Sequence, residues 1–298
     1  MVSHSKRVLI TGSSGFTGKY MRLELENAGM DVYGIDITKT HQNDFVCDLL
    51  DVVRLKEVCL KVKPNYVLHL AGITHVQHQN QFEIYRINIF GTLNLLQVMY
   101  DINPSLEKIL ITSSANVYGA TQCSFINEKV APCPVNHYAN SKLAMEFMVK
   151  TWFEKIPIII TRPFNYTGID QSTNFVIPKI VEHFNLRKKE IFLGNINIVR
   201  DFSDVRFVVK SYHLLMKSNA CSDIYNICSG QGYSLVQVIN FLEGIAGYKI
   251  TVVPDNNLMR TNEIPKLIGD NHKLLDVIGN SKQILLYDTL RSMYYNKW

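Results

Sequence analysis

Short apolar runs rich in Val, Ile and Leu recur at residues 7–12, 31–36, 66–70, 108–113 and 156–161, and they alternate with longer stretches near 16–28, 51–62, 83–101 and 137–154 whose apolar positions recur at helical spacing. Runs of that kind without a polar alternate face predict strands buried on both sides. Strand and helix in strict alternation predict a parallel sheet with right-handed crossovers and helices on both faces, an α/β doubly wound architecture. In such a sheet ligands gather at the carboxyl ends of the strands. Beyond about residue 165 the pattern loosens into Gly- and Asn-bearing loops, with helices near 203–217 and 234–246 and short strands near 223–228 and 249–253. This predicts a smaller C-terminal α/β substrate lobe over 166–298, packed on a nucleotide-binding domain over 1–165, with a soft boundary across which segments interleave.

The first turn of this pattern carries chemistry. Thr11-Gly12-Ser13-Ser14-Gly15-Phe16-Thr17-Gly18 lies between the first strand and the first helix. Gly12 permits a tight turn, Gly15 lets backbone amides approach a pyrophosphate, and Gly18 lets helix and strand pack closely. The helix amino terminus then offers N–H groups and a favourable dipole to phosphates. The second strand ends in Asp36, at the distance expected for a carboxylate that accepts from the adenosine ribose and repels a 2′-phosphate. NAD(H) is therefore favoured, with NADP(H) as the alternative. Asp36 also reads as an ordinary turn aspartate, and Asp48, placed for an adenine contact, reads equally as a helix cap.

Tyr138 and Lys142 stand four apart in a helical stretch, on one face. An ammonium beside a phenol is expected to lower the phenol's pKa toward the working range, so that Tyr138 exchanges a proton with a substrate oxygen. Ser114, at the end of the fourth strand, supplies a hydroxyl to the same oxygen, although alone it reads as a turn or capping serine. Ser114, Tyr138 and Lys142 are the expected catalytic residues.

Composition removes other classes without adding one. With 298 residues, 47% hydrophobic and 19% charged, the chain has a substantial core, and its net charge of +5 is spread along the sequence. The one dense basic run, Arg187-Lys188-Lys189, reads as a solvated helix end, so no nucleic-acid partner is expected. Six scattered cysteines without a Cys-x-x-Cys pair fit reduced thiols, and His69, His75 and His78 form no His-Glu-x-x-His helix, so neither a disulfide nor a metal is expected. No apolar run approaches a membrane span and the first strand begins near residue 7, which gives the expectation of a soluble cytoplasmic protein.

These motifs, together with His69-Leu70-Ala71-Gly72, Asn88 with Gly91-Thr92 and Arg162-Pro163-Phe164-Asn165, resemble the extended short-chain dehydrogenases/reductases, the NAD-dependent nucleotide-sugar epimerases, dehydratases and reductases. The resemblance covers nearly the whole chain and implies a Rossmann-type sheet. It implies cofactor contacts at Gly12, Ser14, Gly15, Phe16, Thr17, Gly18 and Asp36, at Asp48 and Leu49, at Leu70, Ala71 and Gly72, and at Tyr138, Lys142 and Pro163. The second half is most similar to GDP-4-keto-6-deoxy-mannose reductases. By that likeness Ser114 and Asn165 contact substrate, Arg200 and Arg260 hold its diphosphate, and Glu263 its nucleotide ribose; each arginine also reads as a surface ion pair.

Ser114-Ala115-Asn116 stands where dehydratases carry a Thr-Asp-Glu type triplet, and Asn116 and Phe175 stand where the epimerising reductases carry cysteine and histidine. Hydride transfer alone remains: reduction of the C4 keto group of a GDP-linked 4-keto-6-deoxy sugar of mannose or heptose type in deoxysugar biosynthesis. The rival is a 4-epimerase, which regenerates its cofactor in every cycle; a reading of another class is a dinucleotide-binding sensor or scaffold. Tyr166, Ile169-Asp170 and Thr261 depart from the reductase pattern and leave the sugar open. The likeness also implies a homodimer through the Tyr138 helix and the segment near 175–188, with Leu143, Phe147, Val176, Ile180 and Phe184 suited either to that interface or to burial in the monomer.

Overall fold

The structure is a computed structural model that describes residues 5–74, 80–102, 105–121, 123–259 and 264–297. Seven parallel strands form its main sheet: β1 (Arg7–Thr11), β2 (Asp31–Asp36), β3 (Asp44–Val46), β4 (Tyr66–His69), β5 (Lys108–Thr112), β6 (Ile158–Pro163) and β10 (Asp223–Ile227), in the order β10-β6-β5-β4-β1-β2-β3. The order reverses between β1 and β4, which opens a crevice at their carboxyl ends. Alternation along each strand explains why both faces are apolar. Val67, Ile109, Ile111, Ile158 and Ile160 face one core, whereas Leu68, Leu110 and Ile159 face the other.

The first core is closed by α2 (Val52–Val62), α4 (Thr92–Ile102) and α5 (His137–Lys150), the second by α1 (Phe16–Asn27), α7 (Val205–Lys217) and α9 (His272–Ile278). The helix expected over 83–101 is built in three parts: α3 (Gln81–Tyr85), a π-helical turn over Arg86–Gly91, and α4. That wide turn carries Asn88 inward. Such turns collect at functional sites.

The second lobe holds β7 (Asn165–Thr167), α6 (Val176–Asn185), β8 (Glu190–Leu193), β9 (Val199–Asp204), β11 (Gly232–Ser234), α8 (Leu235–Ala246), β12 (Thr251–Pro254), β13 (Lys266–Leu267) and α10 (Leu286–Tyr295). A single cut after residue 165 does not follow these sheets. The chain leaves the main sheet after β6, returns to it through α7 and β10, and leaves again, because Ile227 and Tyr225 complete the core beside Ile159. Ile180 and Phe184, two of the positions suited to a dimer interface, are fully buried inside the lobe against Leu242 and Leu290 of α8 and α10, whereas Phe147 on α5 is 59% exposed. Among the described residues no helix is long and apolar enough to cross a membrane.

Candidate active site

The glycine turn is packed too tightly for side chains at two of its three glycines. Gly12 has φ of 74°, and a Cβ there would stand 2.8 Å from Ala71 N; at Gly18 one would stand 2.3 Å from the Gly12 carbonyl oxygen. Gly15 caps α1 without a side-chain hydrogen bond, which leaves the first-turn N–H groups of Phe16 and Thr17 without a side-chain acceptor among the described residues. At Gly15 a Cβ would stand 3.2 Å from the Gly12 carbonyl oxygen, and the uncapped helix terminus behind it fits an anionic diphosphate. Asp36 accepts from Ser14 N–H at 3.0 Å and from Ile37 N–H at 2.7 Å, and Ser14 Oγ donates to Thr38 O at 2.9 Å, so turn and second strand are tied together. Asp48 accepts from Leu50 N–H at 2.9 Å in a turn and does not cap α2, whose cap is Asp51, accepting from Arg54 N–H at 3.0 Å; Leu49 is buried in the core. Leu70, Ala71 and Gly72 continue from β4 beside the turn, with Ala71 N–H donating to Thr11 Oγ1 at 3.2 Å.

Ser114, Tyr138 and Lys142 come together across the ends of β4 and β5, exposed by only 5%, 6% and 4%. Ser114 follows β5 and caps a 3₁₀ turn over Ala115–Tyr118. Tyr138 and Lys142 lie on successive turns of α5, which Asn136 caps by accepting from Ala139 N–H at 2.9 Å. The Ser114 hydroxyl lies near enough to the Tyr138 phenol to act on its pKa. Lys142 Nζ donates to Thr112 O at 2.8 Å.

The expected lowering of the Tyr138 pKa does not occur in the protein alone. Burial pushes it up to about 12, opposed by the nearby Ser114 hydroxyl and with Tyr166 adding to the rise. Burial likewise lowers Lys142 to about 8, opposed by the Glu146 carboxylate. Desolvation outweighs the local partners because both groups are enclosed by protein.

Several buried residues hold this trio in place without having been expected at the site. Glu146, one turn beyond Lys142, accepts from Arg162 Nε at 2.9 Å and Nη2 at 2.6 Å and from Ser113 Oγ, which pins α5 to the ends of β5 and β6. The Asn88 amide accepts from Ile73 N–H at 2.9 Å and donates to Ser141 Oγ at 2.9 Å, whose hydroxyl donates to Tyr138 O at 2.8 Å. His69 sits between Thr11 Oγ1 and Thr92 Oγ1 at 2.7 and 2.8 Å, and burial, with Lys142 nearby, lowers its pKa to about 3, so the ring is neutral. The Asn88 motif and the four-residue spacing of Glu146 from Lys142 were sequence signals; the partners of both were not.

On the substrate side, Pro163 ends β6, and Asn165 opens β7 exposed and in register with Phe202 of β9. Half-buried Arg200 lies on β9 and donates to Val199 O at 2.9 Å. Next to it, fully buried Asp201 accepts from Ser229 N–H at 2.9 Å, Ser229 Oγ at 2.7 Å and Gly230 N–H at 2.9 Å. Tyr166 joins the two lobes: its hydroxyl bonds Thr17 Oγ1 at 2.8 Å and its ring stacks on Phe16 at 6.2 Å. Arg260, Glu263, His75 and His78 lie outside the described residues.

The model of the GDP-mannose 4,6 dehydratase family matches residues 9–293. The GDP-6-deoxy-D-talose 4-dehydrogenase of Aggregatibacter actinomycetemcomitans is 34% identical over 98% of this chain and 98% of its own. The GDP-6-deoxy-D-mannose reductase of Pseudomonas aeruginosa is 32% identical over 97% of this chain and 96% of its own. A solved structure of RMD from Pseudomonas aeruginosa complexed with NADPH superposes with a TM-score of 0.86 at 31% identity, covering 98% of this chain and 97% of the other. With the glycine turn, the reversed strand order and the serine–tyrosine–lysine grouping already in place, these matches assign the chain to the GDP-mannose 4,6-dehydratase family of extended short-chain dehydrogenase/reductase enzymes.

Proposed function

We propose that the protein reduces the C4 keto group of a GDP-linked 4-keto-6-deoxy sugar of mannose or heptose type, in deoxysugar biosynthesis. The observation that carries this reading is the enclosure of Ser114, Tyr138 and Lys142 together at the ends of the strands, with the Tyr138 phenol pushed up to about 12 by burial. At neutral pH such a phenol holds its proton, which is the state needed to donate to a carbonyl oxygen as it gains charge. A bound NADH or NADPH supplies the hydride. Tyr138 gives its proton to the oxygen, Ser114 donates a hydrogen bond to it, and the Lys142 ammonium adds positive charge where negative charge grows. The Tyr138 phenolate left behind regains a proton from solvent. The relatives named for GDP-6-deoxy sugars support the substrate class.

Asp36 supports NADH as the preferred donor, since a carboxylate beside the adenosine ribose repels a 2′-phosphate. The NADPH complex of the Pseudomonas aeruginosa relative keeps NADPH as the alternative. Asn165, Arg200, Arg260 and Glu263 are the proposed contacts to the GDP-sugar. A homodimer is proposed through the α5 face, where Phe147 is 59% and nearby Phe90 54% exposed; sedimentation tests it. The decisive experiment incubates the protein with GDP-4-keto-6-deoxy-mannose and either dinucleotide. One reduced cofactor oxidised per sugar reduced, abolished in Tyr138→Phe with cofactor binding retained, is expected. Turnover by that variant at the wild-type rate refutes the assignment, and sugar conversion without net oxidation of cofactor points to a 4-epimerase.

A further inference from the structure

We infer that Asn116 is a positioning residue that fixes the direction of the Ser114 hydroxyl hydrogen, and thereby reserves the Tyr138 proton for the substrate. The inference rests on the reading above, in which Ser114 and Tyr138 meet the reacting oxygen.

A serine hydroxyl has one hydrogen to give and two lone pairs to receive. Both lone pairs of Ser114 Oγ are occupied by one residue. Asn116 N–H donates to it at 3.2 Å, and the Asn116 side-chain Nδ2 donates to it at 3.1 Å. The backbone there is held firmly: Val117 N–H bonds Ser114 O at 3.2 Å, Gly119 N–H bonds Asn116 O at 3.1 Å, and Ala115, Val117 and Tyr118 are buried around the turn. The Asn116 side chain is half-buried on that turn, so its amide is carried by a rigid support.

Two consequences follow for the proton. With its acceptor sites filled, Ser114 has only its hydrogen left to offer, beside a Tyr138 phenol near enough for the serine to act on its pKa. For the same reason Ser114 cannot receive the phenol's hydrogen. Tyr138 O–H therefore has no acceptor on Ser114 and is free to turn to an incoming carbonyl oxygen. When that oxygen arrives, the serine hydrogen and the phenol hydrogen both point at it: the first remains a hydrogen bond, the second transfers. A residue that accepted from Ser114 would reverse this polarity, withdrawing the serine hydrogen from the oxygen and exposing a serine lone pair to the phenol.

Asn116→Asp tests this, because it keeps size and shape while an ionised carboxylate can only accept. At pH 8 kcat is expected to fall about a hundredfold, the size of effect seen when a donor to a developing oxyanion is lost. The cofactor KM stays unchanged. The ratio of variant to wild-type kcat should then rise as pH falls toward about 5, where a protonated carboxyl begins to donate again. Asn116→Ala, which removes one donor and adds no acceptor, should lose about tenfold with no change in the pH profile. Full activity of Asn116→Asp at pH 8 overturns the inference, since it means that the amide presents its oxygen to Ser114. Loss without acid recovery overturns it as well, as that is the mark of a disturbed turn. If Asn116→Asp does not fold, wild-type kcat in Asn116→Ala overturns it. Tyr138→Phe run alongside separates the two levels: turnover by that variant sinks the functional reading, whereas its inactivity beside a wild-type Asn116→Asp sinks only the role of Asn116.

Discussion

Replacing Glu146 by alanine should cost more than any other single change in the support of the site. Its carboxylate is 1% exposed and takes two hydrogen bonds from the Arg162 guanidinium and one from Ser113 Oγ. Arg162 is itself buried, with its guanidinium 4.8 Å over the Tyr118 ring. Glu146→Ala therefore strands a buried cation as well as opening a gap, and breaking a buried pair on one side costs about 3–5 kcal/mol. That is a large part of a total stability on the order of 5–15 kcal/mol. At about 2–4 °C per kcal/mol for a chain of this size, the midpoint should drop on the order of 10 °C. Urea unfolding followed by circular dichroism measures the loss. The cause is checked by Glu146→Leu combined with Arg162→Met, which removes both charges and should recover most of it, because no ion is left unpaired. A loss below about 1 kcal/mol in Glu146→Ala, or a double variant as unstable as the single one, would show that the pair does not carry this load.

The same carboxylate opposes the fall in the Lys142 pKa, so pH gives a second readout. Since Lys142 titrates near 8 when folded and near 10.5 when unfolded, the unfolded chain binds more protons between those values, and this residue's contribution to stability rises with pH across that window. Activity that uses the ammonium moves oppositely: kcat/KM should fall above about pH 8, Glu146→Gln should shift that limb to lower pH, and a flat profile to pH 10 would refute the role given to Lys142. Gly72→Ala would place a Cβ 2.8 Å from Asn88 Oδ1 and 3.4 Å from Lys142 Nζ. Asn88 is held at both ends of its amide, so a loss of about 1–3 kcal/mol with reduced kcat is expected, and wild-type kinetics and melting would show that the segment yields.

What could be read from the chain divides along a physical line. The parallel sheet was legible because strands buried on two faces must be apolar throughout, as Ile158, Ile159 and Ile160 are, and because the βα spacing leaves one way to connect them. The grouping of Ser114, Tyr138 and Lys142 was legible since two sit one helical turn apart and the third ends a neighbouring strand. The Tyr138 pKa was not. Its direction is set by enclosure and by Tyr166, which arrives from the other lobe, and desolvation is a property of everything around a group. The apolar stripe of α6 showed that Ile180 and Phe184 needed cover, but a stripe is silent about whether α8 and α10 of the same chain or a second copy provides it. That segments interleave across the boundary was expected, but which one crosses was not: β10 has the composition of a strand in either sheet, and its place beside β6 is decided by the core it completes. Asn116 marks the limit most sharply. As a residue type it tells only that proton chemistry at that position is absent, yet the direction of its amide toward Ser114 determines which hydrogen the site has to give.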